Sequence, residues 1–217
     1  MPYFFKENDL NLLLIHIPKT GGTSIETYFS KKYNIPLNTK CYYSNKDSEF
    51  FNNISLQHHT FKSIKLNRLI FNIDFNNLNI IAIVRNPYER LLSELFWRRK
   101  INKKPIYSTK EEVNLSIKDI FNKYKQNNDI YDNHIRPQYE FILDIDDKIC
   151  SEIKIFKTET LTKDMIEDGW TDFDLKLNAS KVSHNIEDLL NDESIELIND
   201  FYLKDFEIFN YEMIRKN

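Results

Sequence analysis

Glycine is scarce in this chain: 217 residues contain only three, and two of them stand side by side at Gly21 and Gly22. Glycine alone adopts left-handed backbone at little cost, so an adjacent pair in so poor a background marks a tight turn or a close approach to the main chain. Cysteine is scarcer still. Cys41 and Cys150 are too few for a disulfide framework and lack metal-ligand spacing, which predicts a reducing, cytoplasmic location. No stretch reaches the roughly 20 apolar residues of a membrane span, and the opening residues Met1 to Leu14 interrupt their short apolar run with acids and amides, so no membrane partner or leader is expected. Charge of one sign is lacking too: 30 basic against 33 acidic residues give a net −3. That balance excludes nucleic acid as the main partner and leaves any anion site to be built locally.

What is present suffices for one packed core. A hydrophobic share of 41% and an aromatic share of 14%, spread along the whole length, belong to a globule rather than a disordered chain. The length fits a single domain over residues 1–217. No internal repeat or linker interrupts it. The abundance of Asn, Ile and Lys reads as coding bias, so isolated asparagines carry little information.

Leu12-Leu13-Leu14-Ile15-His16-Ile17 is a continuous apolar run closed by Pro18, the pattern of a parallel strand buried on both faces. It feeds the glycine pair, after which Ile25, Tyr28 and Phe29 recur at helical spacing and predict a helix ending before Pro36. Residues 31–53 read as a loop, and Ile54 to His58 as a short strand. A second strand–loop–helix follows: Leu78 to Val84 runs into Arg85-Asn86-Pro87-Tyr88-Glu89, where Asn86 suits the N-cap, Pro87 the first helical position and Glu89 the third. Leu91, Leu92, Leu95 and Phe96 supply its apolar stripe. Further helices are expected over 114–124, 134–143, 161–168 and 194–203, and a third strand over 152–156. Alternating strands and helices predict an α/β fold, a central, mainly parallel sheet flanked by helices, with ligands beyond the carboxyl ends of the strands.

Lys19-Thr20-Gly21-Gly22-Thr23-Ser24 offers successive backbone N–H groups at a helix N-terminus to an anion, with Lys19 as a mobile charge and Thr23 and Ser24 as hydroxyl donors. The order is not that of the Walker A loop, in which Lys follows the glycines and a hydroxyl then holds magnesium. At the second junction Arg85 leaves the strand and Ser93 lies two helical turns on; an arginine fork with a hydroxyl is what a second, separate phosphate requires. Arg90 shares a face with Ser93. The competing readings are a plain glycine turn at the first loop, and Arg85 bound to a carboxylate at the second.

Two segments, Ile15 to Ser24 and Ile83 to Ser93, resemble the donor-binding motifs of the PAPS-dependent carbohydrate O-sulfotransferases, in the branch of the heparan sulfate 2-O- and chondroitin sulfotransferases. The likeness extends to Asp132-Asn133-His134-Ile135-Arg136-Pro137-Gln138, Leu177-Asn178-Ala179-Ser180 and Asp205 to Tyr211. The resemblance implies a P-loop-like nucleotide site and the donor 3′-phosphoadenosine 5′-phosphosulfate (PAPS). Lys19, Thr20, Gly21, Gly22, Thr23 and Ser24 would hold the 5′-phosphosulfate, Arg85 and Ser93 the 3′-phosphate, and Asn178 and Ser180 would close over the donor. The acceptor it implies is a hydroxyl of a carbohydrate.

Sulfonate transfer needs a base for the acceptor hydroxyl and a positive charge on the departing phosphate. Lys19 fits the second task. Gln57-His58-His59-Thr60-Phe61 holds the only adjacent histidine pair, and it matches the family's His-x-Ser/Thr-aromatic pattern with His58 as base. A shift of one residue would exchange His58 and His59; otherwise His59 is a substrate-side residue, together with His134, Arg136 and Gln138. His16, inside the first strand, reads as a buried, hydrogen-bonded histidine. Glu111, Glu112, Asp144, Asp146 and Asp147 read as solvated faces, and no metal is expected. The rivals are a P-loop kinase-type phosphotransferase, which would want a hydroxyl after the loop lysine and an aspartate where Arg85 stands, and a non-catalytic nucleotide- or glycan-binding module on the same fold.

Overall fold

The computed structural model describes residues 2–37, 54–128, 130–174 and 186–215. In chain order these form β1 (Tyr3–Lys6), β2 (Leu10–Ile15), α1 (Gly22–Tyr33), α2 (Phe61–Leu66), α3 (Arg68–Phe71), β3 (Asn79–Val84), α4 (Pro87–Ile101), α5 (Lys110–Gln126), β4 (Ile153–Lys157), α6 (Leu161–Glu167), α7 (Ile186–Leu189), α8 (Asp192–Phe201) and α9 (Leu203–Ile208). Two compact units arise, each from non-contiguous chain: Met1–Val84 with Gln138–Ala179, and Arg85–Pro137 with Ser180–Asn217.

The first unit contains the sheet, in the order β1-β2-β3-β4. β2, β3 and β4 run parallel, with Leu14 opposite Ile81 and Ala82 opposite Ile155, as the apolar runs of β2 and β3 predict, while β4, Ile-Lys-Ile-Phe-Lys, is the sheet's outer strand. Leu13, Leu14 and Ile15 are wholly buried, each worth about 1.5–3 kcal/mol of burial. β1 is an antiparallel edge strand, Phe4 opposite Leu12. Ile25 and Phe29 of α1 and Leu161 and Met165 of α6 pack with Leu12, Leu14, Ile81 and Ile83, so the mainly parallel sheet is flanked by helices as expected. Residues 54–58 are not a strand. Leu56–His58 is one 3-10 turn, closed by the His58 N–H donating to the Ser55 carbonyl at 2.9 Å and by Ser55 Oγ against His58 Nδ1 at 3.0 Å. Local serine bonds of this kind compete with a ladder.

The second unit is helical. Asn86 caps α4, accepting from the N–H groups of Tyr88 (3.0 Å) and Glu89 (3.4 Å), with Pro87 in the first turn. Leu91, Leu92 and Leu95 then pack against Val113, Ile117 and Phe121 of α5 and Ile195 and Ile198 of α8. The expected helix over 134–143 does not form. It is preceded by a turn in which Tyr131, Asp132 and Asn133 are all left-handed, with φ of 64°, 55° and 61°; of the expected span only Gln138–Ile142, in the first unit, winds into a 3-10 helix. The reason lies in the carbonyls. Those of His134 and Arg136 accept from the Arg90 guanidinium at 2.9 and 3.0 Å and that of Ile135 from the Tyr202 hydroxyl at 2.9 Å, so all three are held by side chains distant in sequence. Pro137 also drives Arg136 away from helical backbone.

Candidate active site

In the first unit the anion loop is built by the passage from β2 to α1. Lys19 and Gly21 take left-handed backbone, with φ of 68° and 93°; for Gly21 this conformation is the reason for glycine, since an added Cβ would meet only ordinary contacts at 4.0 Å. Gly22 is glycine for space. A Cβ there would lie 2.7 to 2.9 Å from the His16 ring. No side chain caps the start of α1, and its first turn holds no acid. The Ser24 N–H donates to the Gly21 carbonyl at 2.9 Å, and a helix start with a glycine cap and no acid is one that suits an anion. Thr20 serves the loop itself: its hydroxyl is buried and donates to the Ile17 carbonyl at 2.8 Å. Thr23 is exposed and Ser24 buried.

Thr158, past the end of β4, pins the same loop. Its hydroxyl lies 2.6 Å from the Thr20 carbonyl and 3.0 Å from that of Val84, and its N–H donates to Val84 at 2.8 Å. Sequence reasoning passed over Thr158. Only its position immediately after a strand hinted at a loop function.

His16 is buried and hydrogen-bonded as expected, and its partner is Glu26: Nδ1 lies 2.5 Å from a carboxylate oxygen of a residue 1% exposed. Its ring meets that of His58 edge-on, with centroids 5.3 Å apart at 81°. His58 and His59 are both buried. His59 turns toward α2 and α3, with Nδ1 at 3.0 Å from Ser63 Oγ and its ring against Phe71. Thr60 is the N-cap of α2, accepting from the Ser63 N–H at 3.2 Å, and Phe61 is core. The hydroxyl and the aromatic of this motif thus anchor the start of the helix that follows the two histidines. Gln138 is wholly buried. Beside the loop, a cleft of about 350 Å³ runs along α1, lined by Ser24, Thr27, Tyr28, Lys31, Lys32 and Asp172. Lys32 Nζ sits 2.5 Å from the Asp172 carboxylate, whose hydrogen bonds hold Asp172 below the ordinary carboxylate range.

In the second unit Arg85 holds Glu89, with Nε at 3.2 Å and Nη2 at 3.1 Å from one carboxylate oxygen. The Ser93 side chain, half-buried, makes no hydrogen bond among the described residues. Arg90 is no phosphate ligand here. Its guanidinium is 2% exposed and spent on the carbonyls of His134 and Arg136. His134 stacks on Trp97, centroids 5.0 Å apart, and its Nδ1 lies 2.6 Å from Glu94, a carboxylate 1% exposed that also pairs with Arg98 Nε at 2.5 Å. Arg136 Nε donates to Asn133 Oδ1 at 2.9 Å. Nothing in the sequence singled out Glu94, and Arg90 was placed there only on the face of Ser93. Asn178 and Ser180 lie outside the described residues.

The acidic runs are structural. Glu112 accepts from the Ser108 N–H at 3.0 Å at the start of α5, while Asp144 and Asp147 pair with Lys65 and Lys62. Among the described residues no helix is long and apolar enough to cross a membrane.

Residues 2–212 match the model of one protein family, described as the sulfotransferase family. No curated protein and no solved structure gives a significant match.

Proposed function

Because the chain belongs to the sulfotransferase family, we propose that it is a PAPS-dependent O-sulfotransferase acting on a hydroxyl of a carbohydrate. The observation that carries this reading is the uncapped start of α1, entered through left-handed Lys19 and Gly21, in the same unit as a buried histidine held by a serine. Lys19 and the loop amides receive the 5′-phosphosulfate. Arg85 and Ser93 take the 3′-phosphate, the group that separates this donor from ordinary adenine nucleotides, and Asn178 and Ser180 belong to the same donor set. His59, His134, Arg136 and Gln138 belong to the acceptor side.

The reaction is an in-line displacement at sulfur. His58 accepts the proton of the acceptor hydroxyl as its oxygen forms the new bond to sulfur. The bond between sulfur and the bridging phosphate oxygen breaks, and its electron pair leaves on 3′-phosphoadenosine 5′-phosphate (PAP), whose added charge Lys19 neutralises. The products are PAP and a sulfate ester, and the balance requires no metal. Residues 1–217 act as one catalytic domain in this reading.

Labelled PAPS supplied with a panel of sugars, phenols and steroids tests it. Transfer to a sugar, lost on His58→Ala with PAP binding kept, is the expected result. Stabilisation by ATP with magnesium exceeding that by PAPS would favour a phosphotransferase and overturn the proposal. PAPS binding without transfer to any acceptor would leave a binding module.

A further inference from the structure

His16 and Glu26 have no part in the transfer as written, yet both are buried, and a carboxylate 1% exposed is costly unless it is paired. As a stability device the pair is poor, because apolar side chains of similar volume generally fill such a space at least as well. What a carboxylate–imidazole pair supplies instead is direction: it fixes one ring nitrogen as donor and sets the ring plane. The ring so fixed has two neighbours. One is Gly22, the first residue of α1, where a Cβ would fall 2.7 Å from Nε2. The other is the imidazole of His58, met edge-on at 5.3 Å. Ser55 Oγ meets His58 at Nδ1, at 3.0 Å, and the His16 ring packs against the edge of the same imidazole.

We propose that His16, oriented by Glu26, is a positioning residue that holds the Gly21–Gly22 turn on one side and the ring of His58 on the other. In this role His16 touches neither donor nor acceptor. A Glu–His pair thereby joins the anion loop to the base through a single ring, and Gly22 is kept small by that ring. The kinetic side of this inference rests on the proposed sulfonate transfer, while the structural side stands without it.

Five variants test it: Glu26→Gln, Glu26→Ala, Gly22→Ala, His16→Ala, and Gly22→Ala combined with His16→Ala. Glu26→Gln still offers an oxygen to Nδ1–H and is expected within about threefold of the wild-type kcat, whereas Glu26→Ala falls on the order of 10²-fold, the cost of misplacing a reacting group by about an ångström. Gly22→Ala in the wild-type background is expected to cost at least about tenfold more than in the His16→Ala background, as for residues in contact. Without donor, the His58 ring resonances are sharp and single in the wild type and Glu26→Gln, and broadened or doubled in Glu26→Ala. A structural role alone would lower the melting temperature and leave kcat of the folded protein and the His58 spectrum unchanged. That result, or equal costs of Gly22→Ala in both backgrounds, overturns the proposal. If Glu26→Ala does not fold, the Gly22 and His16 cycle decides. If the wild type transfers no sulfonate, the sulfotransferase proposal has failed separately, and the His58 spectra with the melting temperatures of the cycle still decide this one.

Discussion

Arg90→Met should strip the second unit of the support for its left-handed turn. Left-handed backbone costs roughly 1–2 kcal/mol for each residue with a side chain, so Tyr131, Asp132 and Asn133 together carry about 3–6 kcal/mol, somewhat less for the Asp and Asn. The Arg90 guanidinium opposes this with two charged hydrogen bonds, at 2.9 and 3.0 Å to the carbonyls of His134 and Arg136, each worth about 1.5–3 kcal/mol. The two sums are of the same size. Methionine keeps much of the volume but supplies no donor, and both carbonyls would be left short of a partner. We expect a loss of about 3–5 kcal/mol in urea unfolding, a fall of roughly 10 °C in melting temperature at this chain length, and loss of amide-exchange protection over 131–136. Arg90→Lys, with one ammonium to serve two acceptors, should fall between. A wild-type midpoint and unchanged exchange in Arg90→Met would refute the reasoning and assign the turn to Tyr202 and local bonds alone.

Other outcomes follow from single contacts. Glu89→Gln removes the carboxylate that Arg85 holds at 3.1 Å; calorimetry should show PAP binding tightened about three- to tenfold, the worth of one nearby like charge, with adenosine 5′-phosphate unaffected. Equal effects on both nucleotides would take Arg85 off the 3′-phosphate. Thr158→Val, which deletes the hydroxyl beside the Thr20 and Val84 carbonyls, should cost about 1–3 kcal/mol in denaturant unfolding, and an unchanged midpoint would remove Thr158 from the loop's support. The hydrogen bond from Lys65 holds Asp144 below its ordinary 3.8, so the pair's contribution is present above that pH and is lost as pH falls through the lower folded value. Asp144→Asn should therefore unfold about 0.5–1 kcal/mol more easily at pH 7, and the gap to wild type should close below pH 3.8; a gap constant with pH would contradict the pairing.

The two strand–loop–helix junctions were legible because parallel strands buried on both faces write themselves as unbroken aliphatic runs, and Pro18, Gly21, Gly22, Asn86 and Pro87 punctuate their ends. β1 was not, since an edge strand of four residues with one inward side chain, Phe4, carries no period. The misread helix at 134–143 shows a different limit. Ile135, Phe141 and Ile142 are spaced as on a helix, but the fate of the backbone carbonyls was decided by Arg90 and Tyr202, distant in sequence. Glu26, Glu94 and Arg90 were hidden for a related reason: charged residues are expected in solvent, and nothing in their local sequence reveals the buried partners His16, His134 and the 134–136 carbonyls. The two motifs proposed to bind phosphate, by contrast, needed only backbone and spacing, and those are local.

The interleaving of the two units has a consequence for biosynthesis. β4 pairs with β3 along Ile80 to Val84, yet the ribosome must make the whole of Arg85–Pro137 before β4 emerges. During that interval β3 presents an open, strongly apolar edge, the kind of surface that pairs with the wrong strand when left waiting. Neither unit is a contiguous stretch that a shortened gene could encode.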